Sequence, residues 1–138
     1  MSHVIRAVIA AVFVSLVCVA PAAAAPTDEE VSSSSVGLAV TLVRASTKAL
    51  ALTIVPIHQF ASFDNIISNE SGWDVFATNP SSGAYGLGQA LPPEKMATHG
   101  ADWRFNPITQ LRWTYDYMIA RYGGPDQAWA FWRAHHWY

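Results

Sequence analysis

Cysteine and charge are both scarce in this chain. Cys18 is the single cysteine among 138 residues, so no disulfide framework can staple the fold. Charged residues make up only 13% of the chain, and its eight Lys and Arg are scattered rather than clustered. Phosphate binding needs concentrated positive charge, so nucleic acid is not an expected partner. The one uninterrupted apolar and small-residue run, Ala7 to Ala20, is shorter than the roughly 20 residues a membrane-spanning helix needs. Metal spacing is missing as well. His135 and His136 are adjacent, so their rings diverge on a helix, while His58 and His99 are isolated and no HExxH-type pair exists. Neither a metal nor another cofactor is expected.

What is present begins with a secretory pattern. His3 and Arg6 precede the apolar run, and Ala22-Ala23-Ala24-Ala25 offers a small-residue cleavage site. Residues 1–24 are therefore read as a signal peptide, with an uncleaved N-terminal anchor as the competing reading and the only expected membrane contact. A lipid anchor on Cys18 is disfavoured because Leu16-Val17, not a small residue, precedes it. Cleavage would leave about 114 residues, enough for one domain, outside the cell or at its wall.

Residues 25–55 read as a linker and a possible N-terminal helix. Pro26 to Ser35, with its run Ser32-Ser33-Ser34-Ser35, is polar and of low complexity, which suggests flexibility. Val36 to Val55 is rich in Leu, Val and Ala, with Arg44 and Lys48 one helical turn apart. It either docks on the domain or lies on an anionic surface.

The ordered domain is expected over 56–138. Phe60, Phe63, Ile66 and Ile67 repeat at the spacing of one helical face, and Gly72 is a natural stop. Glu70 then falls at the end of that helix. Asn79-Pro80-Ser81-Ser82-Gly83 and Gly86-Leu87-Gly88 are turn clusters, and Ala84 to Gln89 suggests a short hairpin arm. Pro92-Pro93-Glu94 opens a short helix ending by Gly100. Asn106-Pro107 caps and starts another, whose apolar face is Ile108, Leu111, Tyr115, Met118, Ile119 and Tyr122, and Gly123-Gly124 stops it. Pro125 opens a last helix to about Ala134. The class is mainly α, with a short hairpin or loop beside a cleft. All six tryptophans and all five tyrosines lie from Trp73 onward, where they serve as core or as stacking faces for sugar rings.

Four motifs occur in order: Glu70-Ser71-Gly72-Trp73, Ser82-Gly83-Ala84-Tyr85-Gly86-Leu87-Gly88-Gln89, Asn106-Pro107 with Gln110-Leu111, and Ala128-Trp129-Ala130-Phe131-Trp132. Together they resemble the lytic transglycosylase domain of the lysozyme-like superfamily, over about sixty per cent of the chain. The small secreted transglycosylase-like proteins of Gram-positive bacteria that end in Trp-Tyr are similar. The resemblance implies an α+β lysozyme-like fold, a monomer, and peptidoglycan glycan strands as the partner. It implies Glu70 as the catalytic acid/base, with Gln89, Ser71, Tyr85, Gly86 and Trp132 around the substrate. The bland alternatives are a turn-stabilising amide for Gln89 and a core role for Tyr85. Two positions depart from the family pattern. Gly88 stands where many relatives have Met, and Phe131-Trp132-Arg133 stands where a Tyr-Asn pair is common.

The residues themselves support Glu70. A carboxylate at a helix C-terminus faces the negative end of the dipole, and apolar neighbours such as Ile66 and Trp73 add desolvation. Both oppose ionisation. An unperturbed Glu, with a pKa of about 4.3, is only ~0.2% protonated at pH 7; a pKa of roughly 6–7 makes it a usable acid. Glycosidases generally use two carboxylates, but Asp74 reads as structural, Asp102 as solvated or ion-paired, and Asp116 as a surface partner of Arg112. A lone Glu suits a substrate-assisted lytic reaction that leaves 1,6-anhydro ends. The same Glu used with water would make a hydrolytic muramidase, and a non-catalytic wall-binding protein would keep the cleft alone.

Overall fold

The structure, a computed structural model, describes residues 28–138. The expected signal peptide over 1–24, with Cys18, lies outside the described residues. Four α-helices and one 3₁₀ helix make up the described chain: α1 Asp28–Ala51, α2 Ile57–Glu70, the 3₁₀ helix Pro93–His99, α3 Pro107–Tyr122 and α4 Pro125–His135. The protein is mainly helical.

From Asp28 onward, the stretch read as a flexible linker is instead the first turns of α1. Serine and threonine disfavour helices chiefly by competing for backbone partners, and here that competition is internalised. Ser35 Oγ donates to the Ser32 carbonyl at 2.8 Å, and Thr41 and Ser46 bond carbonyls four residues back. Glu29 lies in the first turn, where negative charge complements the helix dipole.

α1 docks through its C-terminal end alone. Thr47, Ala51 and Val55 are buried, whereas Val36, Leu38, Leu42 and Val43 remain exposed. The folded unit therefore begins upstream of the expected boundary at Pro56. An ion pair fastens this end: Lys48 Nζ lies 2.7 Å from Asp64 on α2, and the Trp73 indole donates to the same carboxylate at 2.9 Å. Burial pushes the Asp64 carboxyl up, but the bonds from Lys48, Trp73 and Ser68 and the Lys48 charge outweigh it and hold it below its usual value. A cavity of about 290 Å³ opens between Val40, Val43 and Arg44 of α1 and the loop Trp73 to Phe76; no candidate site residue lines it.

α2 buries Phe63, Ile66 and Ile67 as their spacing predicts, and Phe60 packs at the margin. Leu111 and Met118 of α3, Ala128 of α4, Trp73, Val75 and Leu87 complete this core. Ala90, Met96, Trp103 and Trp113 form a smaller second one with Tyr85 and Tyr117 at its edge.

α3 starts where Asn106 caps it, its side chain accepting from the Ile108 N–H at 2.9 Å, and ends at Gly123. Its buried arc is wider than the apolar spacing implies. Thr109, Gln110, Trp113 and Thr114 are buried, while Ile119 is 40% exposed. The cause is its central position, in contact with α1, α4 and the 3₁₀ helix. The expected Asp116–Arg112 pair is replaced by one between Asp116 and His99 at 2.9 Å, so His99 is not isolated.

The hairpin arm is reduced to two isolated bridges, Thr78 with Tyr85 and Tyr85 with Ala90. Tyr85 is followed at once by the 86–89 turn and closely preceded by the 79–83 turn, which leaves one residue to pair on each side.

Gln110 holds these turns. It is fully buried, and its amide Oε1 accepts from the Leu87 N–H at 2.9 Å. Nε2 donates to the Val75 carbonyl at 3.1 Å and the Trp103 carbonyl at 2.8 Å. Gly86 makes room for it. Its φ is +78°, and a Cβ there would come within 2.5 Å of Gln110 Oε1. Replacing Gln110 with Leu keeps most of the volume but strands three buried backbone groups. Each costs about 1–3 kcal/mol, so urea unfolding of Gln110→Leu is expected to show a loss of roughly 3 kcal/mol or more.

Candidate active site

Glu70 is the last residue of α2, and the chain turns sharply after it. Ser71 caps the helix, its N–H donating to the Ile67 carbonyl at 3.0 Å. Its hydroxyl donates to the Leu87 carbonyl at 2.9 Å. Helix end and glycine-rich turn are thereby stitched together.

Gly72 and Trp73 follow with φ of +58° and +66°. A left-handed Trp costs of order 1–3 kcal/mol in backbone strain. Burial of its ring and the indole bond to Asp64 hold it in place. The strain sits three residues from Glu70.

Glu70 itself is half-buried, against α4. The Trp132 indole N–H donates to Glu70 Oε1 at 2.7 Å. Trp132 stacks on Trp129, with centroids 5.2 Å apart at 20°, and meets His136 edge-on at 5.2 Å. Burial raises the Glu70 carboxyl above its usual value, and the Trp132 bond, which favours the carboxylate, opposes this in part. The net shift is upward.

The motif residues divide into two groups. Glu70, Ser71 and Trp132 are joined directly, and the 86–89 turn reaches them through Leu87. Gln89 closes that turn: its Nε2 donates to the Gly86 carbonyl at 3.0 Å and the Ala77 carbonyl at 3.2 Å. Tyr85 directs its hydroxyl to the Arg104 carbonyl at 2.6 Å and its ring edge-on to Trp103. These are the turn and core contacts of the bland alternatives. Gly86 faces Gln110.

Tyr138 is a site residue that the motif reading missed. Its hydroxyl donates to the Gly88 carbonyl at 2.8 Å. Burial drives its phenol well above the usual range, and the charge of nearby Glu70 pushes in the same direction. A side chain at Gly88 would not fit, because a Cβ there would collide with Thr114 and with the Tyr138 hydroxyl at 2.8 Å. The hint in the sequence was the Trp-Tyr ending, but nothing local links positions 88 and 138.

The aspartates with described contacts are engaged elsewhere. Asp64 is held by Lys48 and Trp73, Asp74 by the Phe76 N–H, and Asp102 by Asn106 and Thr109. His99 takes Asp116, and Ser62 takes Asp126. Among the described residues, none hydrogen-bonds to Glu70 or Trp132. The arrangement therefore supplies one carboxyl that can give a proton and take one back, held by a donor on one oxygen.

Compared with known proteins, the chain matches no family model, no curated protein and no solved structure.

A raised carboxyl favours the fold only while it is protonated. The cost of ionising Glu70 in the folded state is fully present above the folded pKa and vanishes below the unfolded value of about 4.3. Glu70→Gln removes that cost and keeps an acceptor for Trp132. The variant is expected to melt higher than wild type at pH 7, with the difference closing as the pH falls to 4 in parallel thermal scans.

Proposed function

We propose that the protein is a secreted peptidoglycan lytic transglycosylase with a lysozyme-like fold. It cuts the bond between N-acetylmuramic acid and N-acetylglucosamine with Glu70 as its single acid/base. The observation that carries this reading is a half-buried glutamate at a helix end, its carboxyl raised by burial and one oxygen fixed by the Trp132 N–H. It is supported by the ordered motifs around Glu70, Gln89 and Trp132, which resemble that family.

Trp132 occupies Oε1, so the mobile proton belongs on Oε2. Glu70 delivers it to the glycosidic oxygen as the C1–O bond breaks and its electron pair stays with the leaving sugar. The N-acetyl carbonyl of the muramic residue supports the positive charge at C1. The Glu70 carboxylate then removes the proton from the same sugar's 6-hydroxyl, whose oxygen bonds to C1 and closes the 1,6-anhydro ring. Glu70 ends protonated, as it began, and no water is consumed. One carboxyl suffices.

Glu70→Gln keeps the shape and removes the proton. Release of glycan fragments from purified peptidoglycan is expected to fall by at least about 10²-fold, with wild-type products carrying 1,6-anhydro ends by mass analysis. Reducing ends instead would make the enzyme a hydrolytic muramidase. A wild type that binds the wall without cutting it would be a binding protein.

Trp132→Phe removes the N–H that stabilises the carboxylate, so the Glu70 pKa rises further. The acid is then retained to higher pH, and the alkaline limb of the kcat profile is expected to move upward. An unmoved limb would show that Trp132 only packs.

A further inference from the structure

A cavity of about 90 Å³ adjoins the Glu70 site. Gly88 and Tyr138 line it, and these are the two groups joined by the Tyr138 hydroxyl at 2.8 Å. The hydrogen-bonded route from Glu70 is short: the Ser71 hydroxyl donates to the carbonyl of Leu87, the residue before Gly88.

Two features give the cavity a chemical preference. One wall holds Trp113 and Tyr117, stacked with centroids 5.2 Å apart at 14°, and Tyr117 meets Tyr138 edge-on at 5.8 Å. The lining that faces the cavity is nonetheless mainly polar, so this pair backs the cavity rather than offering it an apolar floor. Lys95 supplies the only formal charge in the lining. Its Nζ donates to the Leu91 carbonyl at 3.0 Å, and an ammonium has two further hydrogens to give. No aspartate or glutamate lines the cavity. Of the two lysines in the chain, Lys48 is paired with Asp64, whereas Lys95 forms no ion pair among the described residues. An ammonium without an ionic partner in a mainly polar lining selects an anion.

On a glycan strand, the anions beside the scissile bond are carboxylates. Resting on the function proposed above, we propose that this cavity is a subsite for a carboxylate-bearing substituent of the strand, with Lys95 as its ionic partner. That carboxylate is either the lactyl group of a peptide-free muramic residue or an acid of the stem peptide.

Binding tests this without turnover. Full-length Glu70→Gln is titrated with N-acetylmuramic acid, its methyl ester and N-acetylmuramoyl-dipeptide, followed by the shifts of the Lys95 and Trp113 NMR signals. At least one acid is expected to bind about fivefold more tightly than the ester. Lys95→Met should abolish that preference and leave ester binding unchanged. A preference for N-acetylmuramic acid identifies the lactyl source, and one for the dipeptide identifies the stem. Equal affinities for acids and ester, or a preference that survives Lys95→Met, would overturn the subsite. The two proposals fail separately. Wild type that cuts peptidoglycan while Lys95→Met leaves KM unchanged removes the subsite alone. Acid-selective binding by a wild type that cuts nothing removes the lytic reading alone.

Discussion

Three loops that share no secondary structure converge on the amide of Gln110. It accepts from Leu87 and donates to Val75 and Trp103, so the segments after α2, around the glycine-rich turn and before α3 are all set by one side chain. These loops lack a sheet ladder, since the bridges at Tyr85 are isolated. Their buried backbone groups need other partners, because an unpaired one costs about 1–3 kcal/mol. A rigid α3 supplies one. The 86–89 turn that Ser71 grips beside Glu70 owes its place to this amide, and Gly86 is its steric counterpart.

With the loops fixed, the surroundings of Glu70 combine opposing effects. Burial favours its neutral form, and the Trp132 N–H favours its charged one. Neither alone suits a group that, in the proposed reaction, donates and then accepts a proton. Burial without a donor would make a poor base, and a strong donor without burial a poor acid. The left-handed Trp73 belongs to the same economy, since a strained backbone next to the site is stabilised by a buried indole and its bond to Asp64. Through Asp64, that bond also ties the docked end of α1 to the turn after Glu70.

Local signals carried much of this into the sequence. The α2 face, the Asn106 cap and the Gly123 stop each depend on residues within two turns, and the position of Glu70 at a helix end follows from them. Three things did not. Apolar spacing cannot register Gln110 or Thr114, which are polar and buried for packing reasons outside α3. Composition misjudged the start of α1, because its serines satisfy themselves on the helix backbone. The contacts of Glu70 with Trp132 and of Gly88 with Tyr138 span 62 and 50 positions, and only the packing of α2, α3 and α4 creates them. The Phe131-Trp132-Arg133 departure did flag the place, since the resemblance put Trp132 beside the site, but the bond it makes to Glu70 is visible only in the packed helices.

That departure also constrains the proposed chemistry. A phenol beside the carboxyl could donate or accept, and so could share a proton with it. An indole only donates. Trp132 can therefore steady the carboxylate but cannot carry a proton for it, and the Tyr138 hydroxyl is directed at the Gly88 carbonyl. With the described aspartates engaged elsewhere, the proposed reaction leaves both proton transfers to Glu70, through Oε2. A single oxygen that first gives and then takes must face the glycosidic oxygen and the 6-hydroxyl in turn. In the proposed reaction both groups stand on one face of C1, where the leaving group departs and the anhydro bridge closes, so one oxygen held in place can serve both transfers. A clamp on Oε1 suits that task, because it holds the carboxyl while leaving Oε2 free.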